Sequence, residues 1–261
     1  MQPLRCPLCR EPLQRKDRAA VCARGHSFDF SKEGYLNLLP VNGRRSRHPG
    51  DAPEMCRARR AFLAAGHYAP LREAVVSLLA GSVVLDACCG EGYYTSAAAE
   101  TGRAVYGFDI AKDMVRMAAK ADKRSFYFVA GLHAIPVADE SVDTLMHLFA
   151  PPAAEEFRRV LGKGGLLIDV QPGERHLLAL KEKLYEKPYL NRETPPAYDL
   201  PLVREERVRY SIRLEGEAIC DLFYMTPYAY KTAPAAAKKL LALPELVTDV
   251  DFLIRVFKKN T

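Results

Sequence analysis

Three cysteines and one histidine near the start of the chain have the spacing of a metal site. Two residues separate Cys6 from Cys9, twelve more separate Cys9 from Cys22, and a further three separate Cys22 from His26. In a tetrahedral zinc site each close pair of ligands lies on a tight turn, and a short hairpin brings the two pairs together. Because four protein ligands leave no open position for water, the spacing predicts one structural zinc ion.

A second group of chemically active residues surrounds two glycines. The stretch VVLDACCGEGYYT, residues 83–95, combines an apolar run, Asp86, a turn with Gly90 and Gly92, and the start of a helical pattern. Glycine lets the backbone approach a ligand closely, and a helix N-terminus offers free N–H donors. Seventeen residues after Gly92, another apolar run ends in Asp109, which could bind a ribose diol. The pattern predicts a nucleoside-binding βαβ unit with cofactor contacts at all four residues.

The glycine spacing also indicates which nucleoside cofactor is bound. The third glycine of the dinucleotide fingerprint is absent, so a pyrophosphate ligand is disfavoured. The residues resemble motif I of the class I S-adenosylmethionine methyltransferases, with Asp109 as the acidic end of motif II. The alternative is a glycine turn in an unrelated α/β domain.

Around this unit, strand and helix patterns alternate along the chain. Strands are predicted over residues 126–130, 142–149 and 165–170, and helices over 112–121 and 153–161. This alternation predicts an α/β fold, a parallel sheet with helices on both faces. Segments 203–214 and 247–258 are expected to form a terminal antiparallel pair, with a helix over 234–243 between them. The proline-rich stretch 187–201 is expected to be a loop near the substrate side.

The length and composition fit one main domain with one small module. The chain has 261 residues, 49% of them hydrophobic, and can bury one substantial core. Its apolar runs are far shorter than the roughly 20 residues of a membrane span, and no signal segment opens the chain. Its seven cysteines, with Cys88 and Cys89 adjacent, do not match a secreted disulfide framework. We therefore expect a cytoplasmic protein without membrane contact.

The excess positive charge lies in the N-terminal part of the chain. Residues 1–60 carry 13 Lys and Arg against 6 Asp and Glu, whereas residues 61–261 carry 25 against 26. A basic module beside a neutral one suits binding to a phosphate backbone; a solvated basic face is the alternative. The arginines after the zinc module could grip phosphate or stack on unpaired bases: Arg44, Arg45, Arg47, Arg57, Arg59 and Arg60.

Taken together and in order, these landmarks resemble the RlmA family of bacterial S-adenosylmethionine-dependent enzymes, which methylate N1 of a guanine in 23S ribosomal RNA. The resemblance rests on the zinc pattern and on KEGYLNLLP, RRSRHPGD, RRAFLAAGHY, DACCGEGYYT and GERHL, and covers essentially the whole chain. It implies a zinc-binding RNA-recognition domain over residues 1–40, a basic linker and helix start over 41–66, and a Rossmann-like class I methyltransferase domain over 67–261. The substrate would be a guanine in a hairpin loop of that RNA, and a homodimer is also implied.

The resemblance further implies cofactor contacts at Tyr68, at the Gly90-Glu91 turn and at His176. From the residues alone, Tyr68 precedes a proline that can open a helix, and His176 would lie at the carboxyl edge of the sheet, where α/β folds bind ligands. A structural role is the alternative for each. Many class I enzymes carry an acidic residue after the third strand, but here the chain reads AGLH, so backbone groups near Leu132 are expected to bind the adenine.

The reaction requires a proton acceptor, because guanine N1 carries a proton at neutral pH. His133, His147 and Asp169 are candidates of equal standing, so the catalytic residue stays unassigned. Phe149, after the fourth strand, could stack on a flipped guanine or be a core residue. Two other functions stay open: a small-molecule methyltransferase, disfavoured by the N-terminal charge, and a non-catalytic RNA-binding protein, disfavoured by the intact acids and glycines.

Overall fold

The computed structural model describes residues 2–40 and 52–260. Its elements are, in chain order, β1 Gln14–Lys16, β2 Ala19–Val21, β3 Ser27–Asp29, β4 Leu36–Asn37, α1 Pro53–Ala64, α2 Ala69–Ser77, β5 Val83–Ala87, α3 Tyr93–Glu100, β6 Ala104–Asp109, α4 Lys112–Ala121, β7 Phe126–Val129, β8 Val142–Leu148, α5 Ala154–Val160, β9 Leu161–Pro172, α6 Leu178–Leu184, β10 Leu202–Glu215, α7 Glu217–Tyr224, a 3-10 turn Pro227–Tyr230, α8 Pro234–Leu241 and β11 Glu245–Lys258. The linker arginines Arg44, Arg45 and Arg47 lie outside the described residues.

The main sheet has the order β10-β11-β9-β8-β5-β6-β7-β4. Strands β9, β8, β5, β6 and β7 run parallel, and β11 joins β9 antiparallel. Its centre is the apolar β5, whose last four residues are buried because neighbours cover both faces of a parallel sheet. The α/β fold class predicted from the alternation of patterns is confirmed, and α4 has the predicted bounds.

The last two strands form the predicted antiparallel pair. β10 is the edge strand, and β11 lies between it and β9. Exposed side chains of β10 form ion pairs across to β11, including Arg209 with Asp249 at 2.7 Å and Arg207 with Asp251 at 2.6 Å. Charged residues on a long edge strand also discourage pairing with other chains.

The zinc module is joined to the main sheet by a strand that the sequence did not predict. Strands β1, β2 and β3 form a small antiparallel ribbon, hereafter the zinc ribbon. After it, β4 pairs parallel with β7, placing Leu36 opposite Phe128. Leu36 and Leu38 do not form a separate apolar face of the small module; both are buried in one cluster with Phe108 and Phe128. A module this small cannot cover such side chains alone. The boundary at residue 40 stays a prediction.

Within the part of the chain that the structure describes, the helices are too short or too polar for any of them to cross a membrane.

Candidate cofactor and zinc sites

The four predicted metal ligands come together at the base of the zinc ribbon. The Nδ1 atom of His26 lies 3.5 Å from the Sγ of Cys6 and 3.4 Å from that of Cys22, and the Sγ atoms of Cys9 and Cys22 are 3.6 Å apart. All four ligand atoms lie within 4.8 Å of one another. With bonds of about 2.3 Å to sulfur and about 2.0 Å to nitrogen, tetrahedral zinc separates its ligands by about 3.5–3.8 Å. The donor set therefore fits one zinc ion.

Tight turns place these ligands. The backbone N–H of Arg10 donates to the carbonyl of Cys6 at 2.8 Å, and the N–H of Gly25 donates to the carbonyl of Cys22 at 3.0 Å. Gly25 has φ 83°, a conformation that glycine adopts without strain. Each turn brings two ligands of a pair to the same point, as the spacing predicted.

The two glycines of the βαβ turn have different surroundings. Both are left-handed, Gly90 with φ 56° and Gly92 with φ 87°. A Cβ atom on Gly92 would lie 2.8 Å from Tyr127 Oη and 2.9 Å from Ala118 Cβ. For a Cβ atom on Gly90, the nearest atom of the described residues is Met114 Cε at 3.4 Å. Gly92 therefore allows α3 to pack against α4 and β7, and Gly90 presents the more open side of the turn.

The two acids of the unit also differ. Asp109 lies at the end of β6, where its Oδ2 accepts a hydrogen bond from the Gly90 N–H at 3.0 Å and its Oδ1 accepts one from the Ala111 N–H at 2.8 Å. Asp86 is buried and accepts a hydrogen bond from Thr95 Oγ1 at 2.6 Å. Burial raises the pKa of Asp86 to about 7, against the effect of the Thr95 hydrogen bond, and the charge of Asp109 raises it further. Asp86 ties β5 to α3, while Asp109 borders the turn.

Three buried polar atoms in the turn and at the start of α3 lack a hydrogen-bond partner. Across residues 2–40 and 52–260, no hydrogen-bonding group reaches Glu91 Oε1, Tyr93 Oη or Tyr94 Oη. Burial raises the pKa of Glu91, and the charges of Arg60 and Arg59 on α1 oppose this rise. Buried polar groups are normally hydrogen-bonded, and a polar ligand at the turn would supply the partners that these atoms lack. The ammonium and hydroxyl groups of S-adenosylmethionine supply such partners, so the residues fit this cofactor.

Tyr68 and His176, distant in sequence, are in contact. Tyr68 Oη lies 3.5 Å from His176 Nε2, and the Asp251 N–H donates to His176 Nδ1 at 3.2 Å. The ring of Phe252 lies 4.8 Å from that of Tyr68 and 4.7 Å from that of His176. Burial, with the nearby charge of Lys181, lowers the pKa of His176 to about 3, so the imidazole is neutral. This cluster lies beyond the carboxyl end of β9, as predicted for His176; cofactor contact by Tyr68 or His176 stays a prediction.

Two of the three candidate proton acceptors, His147 and Asp169, are buried and hydrogen-bonded to other groups of the protein. His147 Nδ1 and Asp169 Oδ1 are 2.8 Å apart in neighbouring strands, and both side chains are 1% exposed. His147 Nε2 lies 3.1 Å from the Pro151 carbonyl, and Tyr198 Oη donates to Asp169 Oδ1 at 2.6 Å. The third candidate, His133, is exposed. Tyr198 was missed from the sequence, because nothing in a proline-rich loop indicates which side chain returns to the sheet.

Two further predicted residues lie near these groups. Leu132 is half-buried in the loop after β7, whose Ala130 N–H donates to the Asp109 carbonyl at 3.1 Å. Phe149 follows β8 with φ 58° and a side chain that is 43% exposed. Since bulky residues rarely adopt this conformation and rarely expose a ring, Phe149 is a candidate for binding another molecule.

Comparison with known proteins agrees with both sites. Residues 4–47 match the family model described as RlmA, N-terminal, a zinc ribbon, and residues 85–169 match the model of a methyltransferase domain. A protein of Streptomyces fradiae named 23S rRNA (guanine(748)-N(1))-methyltransferase is 32% identical over 96% of this chain and 95% of its own length. One of Micromonospora griseorubida, provisionally named 23S rRNA (guanine-N(1)-)-methyltransferase, is 34% identical over 94% and 93%.

A solved structure shows the same fold. A chain in the complex of the Haloferax volcanii Trm112 methyltransferase activator with a methyltransferase superposes with a TM-score of 0.52 at 18% identity, covering 81% of this chain and 100% of that chain. The match to a methyltransferase domain implies S-adenosylmethionine as the cofactor, and the Cys6, Cys9, Cys22 and His26 cluster is that of a zinc ribbon. The chain therefore belongs to the RlmA family of S-adenosylmethionine-dependent methyltransferases.

Proposed function

We propose that the protein transfers the methyl group of S-adenosylmethionine to N1 of a guanine in a hairpin loop of 23S ribosomal RNA. The observation that carries the proposal is the similarity, over about the whole chain, to relatives named for this reaction. The zinc ribbon and the methyltransferase sheet share one hydrophobic core. This arrangement supports the proposal, because a small-molecule enzyme has no need of a basic RNA-binding module.

The donor site lies at the carboxyl edge of the sheet. When bound, S-adenosylmethionine supplies an electrophilic methyl group on a sulfonium. Asp109, at the end of β6 beside the turn, would accept hydrogen bonds from the ribose hydroxyls, and Gly90 would leave space for the ligand. Glu91, whose Oε1 has no partner among the described residues, would accept a hydrogen bond from the ammonium of the donor. Fixing both ends of the donor aligns the methyl group, which is the main task in such a displacement.

The acceptor site is expected beside Phe149. An aromatic ring exposed directly after a strand at this edge can stack on an unpaired base turned out of a loop. Arg57 and Arg60 on the exposed side of α1 are cationic groups suited to the adjoining phosphates. Stacking and phosphate contacts together would hold the guanine. Binding would then depend on the identity of only a few neighbouring bases.

Neither of the two buried candidates, His147 or Asp169, is accessible to accept the proton of guanine N1. His147 and Asp169 are bonded to each other, so they are better suited to hold the Pro151 carbonyl in place than to accept a proton from substrate. His133 is open to solvent and stays the candidate acceptor, with water as the final destination of the proton.

Two further statements belong to this proposal. A protein that modifies ribosomal RNA acts where ribosomes are made, so we place it in the cytoplasm. Homodimerisation is carried over from the family resemblance alone, and sedimentation of the purified protein tests it.

The test is methylation of 23S RNA by the purified, zinc-loaded protein. A methyl group on N1 blocks Watson–Crick pairing, so reverse transcription should stop at one guanine only when donor and protein are both present. Phe149→Ala should lose most of the stop, and Tyr230→Ala, which alters another exposed aromatic residue, should retain it. A full-strength stop with Phe149→Ala would refute the acceptor site, and no stop with the wild type would refute the substrate.

A further inference from the structure

The loop between β7 and β8 begins at the candidate cofactor site. We call residues 130–139 the β7 loop. Its first residue, Ala130, donates its N–H to the Asp109 carbonyl at 3.1 Å, so the loop starts beside the acid that borders the glycine turn. Leu132, expected near the adenine, follows two residues later and is half-buried. In the cofactor site proposed above, the β7 loop would therefore form one wall.

The far part of the β7 loop is bound to the first residues of the chain. Leu4 and Val137 form an antiparallel bridge. The Arg5 N–H donates to the Pro136 carbonyl at 2.9 Å, and the Ala138 N–H donates to the Pro3 carbonyl at 2.9 Å. These contacts lie immediately before Cys6, so the segment that leads into the metal site also supports the β7 loop.

One side chain extends the support from the metal site itself. Arg10 follows the zinc ligand Cys9 and has φ 65°, closing the turn through its N–H to the Cys6 carbonyl. Its guanidinium donates to the carbonyls of Ile135 at 3.0 Å and Val137 at 3.4 Å. Asp139 lies 3.8 Å away as an ionic partner. The planar fork of arginine suits such a pair of acceptors, which lysine cannot match.

The near part of the loop is held by the residues that directly follow β4. The Leu38 N–H donates to the Val129 carbonyl at 2.9 Å, one residue before the loop begins. A Cβ atom on Gly131 would lie 3.7 Å from Leu39 Cδ1, so Leu39 packs directly on the loop backbone. Cys6, Leu36, Ala130 and Ile135 share one buried cluster. The zinc module thus touches the β7 loop at both ends.

We propose that Arg10 is a positioning residue through which the zinc ribbon fixes the β7 loop and thereby strengthens binding of S-adenosylmethionine. This inference rests on the cofactor site proposed around Asp109 and Leu132. Arg159 also donates to the Ile135 and Val137 carbonyls, at 2.8 Å and 2.7 Å, so loss of Arg10 weakens the support without removing it. The expected effect is a loss of affinity, not a loss of fold.

The test compares zinc-loaded Arg10→Gln with Arg18→Gln, a control that removes an exposed arginine of the same ribbon. Zinc content is measured first, and S-adenosylhomocysteine binding is then titrated by calorimetry without RNA. Arg10→Gln should keep one zinc and bind about fivefold more weakly, within the usual range of coupling between sites, while Arg18→Gln binds as the wild type does. Amide exchange over residues 131–139 should be faster in Arg10→Gln alone.

Wild-type affinity in Arg10→Gln would overturn the inference. Removal of zinc from the wild type with a chelator tests the same coupling without a substitution and should weaken binding at least as much. Equal affinity of the zinc-free and zinc-loaded forms would also overturn it. Failure of the zinc-loaded wild type to bind S-adenosylhomocysteine at all would instead refute the proposed cofactor site.

Discussion

The backbone N–H of Gly90 donates a hydrogen bond to the Asp109 carboxylate, 3.0 Å away. The glycine turn after β5 and the acid at the end of β6 are thus one structural unit. A second backbone N–H, that of Ala111, fixes the other oxygen at 2.8 Å. Backbone donors on both oxygens fix the orientation of the carboxylate at the edge of the turn.

Asp109→Asn should weaken donor binding by about tenfold or more, since a hydrogen bond to a charged acceptor contributes about 1.5–3 kcal/mol. The side-chain amide of Asn also places an N–H group where the Asp109 carboxylate accepts a hydrogen bond. Calorimetric titration with S-adenosylhomocysteine measures the change. Asp113→Asn on the exposed face of α4 is the control, because its partner Arg116 is solvent-exposed. Equal affinity in Asp109→Asn and the control would contradict the assignment.

Replacing each turn glycine with alanine should distinguish the glycine needed for the packing of α3 from the glycine needed for close approach of the donor. Gly92→Ala should lower the free energy of unfolding by about 3 kcal/mol, because strain at positive φ adds to the 2.8 Å contact with Tyr127 Oη. Gly90→Ala should lose only about 1 kcal/mol of stability but most of its affinity for the donor.

Gly102→Ala is the control for both glycine variants. Gly102 also has positive φ, 80°, and no atom of the described residues lies within 4 Å of an added Cβ. The stability lost in Gly102→Ala therefore reports the backbone strain alone. Urea unfolding of the zinc-loaded proteins supplies the comparison. A Gly92→Ala protein as stable as Gly102→Ala would show that the close contact relaxes freely.

The burial of Asp86 predicts a pH dependence. Its pKa in the folded protein is about 7, whereas the ordinary value is 3.8, so the folded state binds more protons between these values. Stability from this group is therefore present at low pH and lost as pH rises through 7. Relative to Asp86→Asn, the wild type should lose about 2 kcal/mol of unfolding free energy between pH 5 and pH 7.

Comparison of the two proteins at each pH cancels the titration of the zinc ligands, which both share. Asn at position 86 can still accept the Thr95 hydrogen bond, so the packing of α3 on β5 is kept. If the difference between the two proteins were the same at pH 5 and pH 7, Asp86 would be ionised throughout and the burial argument would be wrong.

The elements that sequence reasoning predicted well are those with local causes. α4 was placed with its bounds because Met114, Val115, Ala118 and Ala119 repeat on one helical face, and all four are buried. The zinc ligands followed from spacing. β4 was missed because its two residues become a strand only through β7, about ninety residues later. The pairing of His147 with Asp169 depends on the register of β8 and β9, which no local pattern encodes.

The buried group formed by His147, Asp169 and Tyr198 leads to the last prediction. Tyr198 Oη donates to Asp169 Oδ1 at 2.6 Å and lies 3.1 Å from His147 Nδ1. His147 in turn contacts the Pro151 carbonyl, two residues after Phe149. Tyr198 therefore joins the loop of residues 187–201 to the segment expected to orient the guanine. It is a positioning residue, because it acts through its neighbours.

Tyr198→Phe should lower stability by about 2 kcal/mol, the loss of a hydrogen bond to a carboxylate, while the ring keeps its packing against Phe257. It should also lower kcat with RNA severalfold and leave the affinity for S-adenosylhomocysteine unchanged, because the proposed donor site is formed by Asp109 and the glycine turn. Tyr230→Phe, which removes a hydroxyl from an exposed ring, should change neither quantity. If kcat stayed at the wild-type value while stability fell, the hydroxyl would serve the fold alone; if donor affinity fell with it, the group would support the donor site instead.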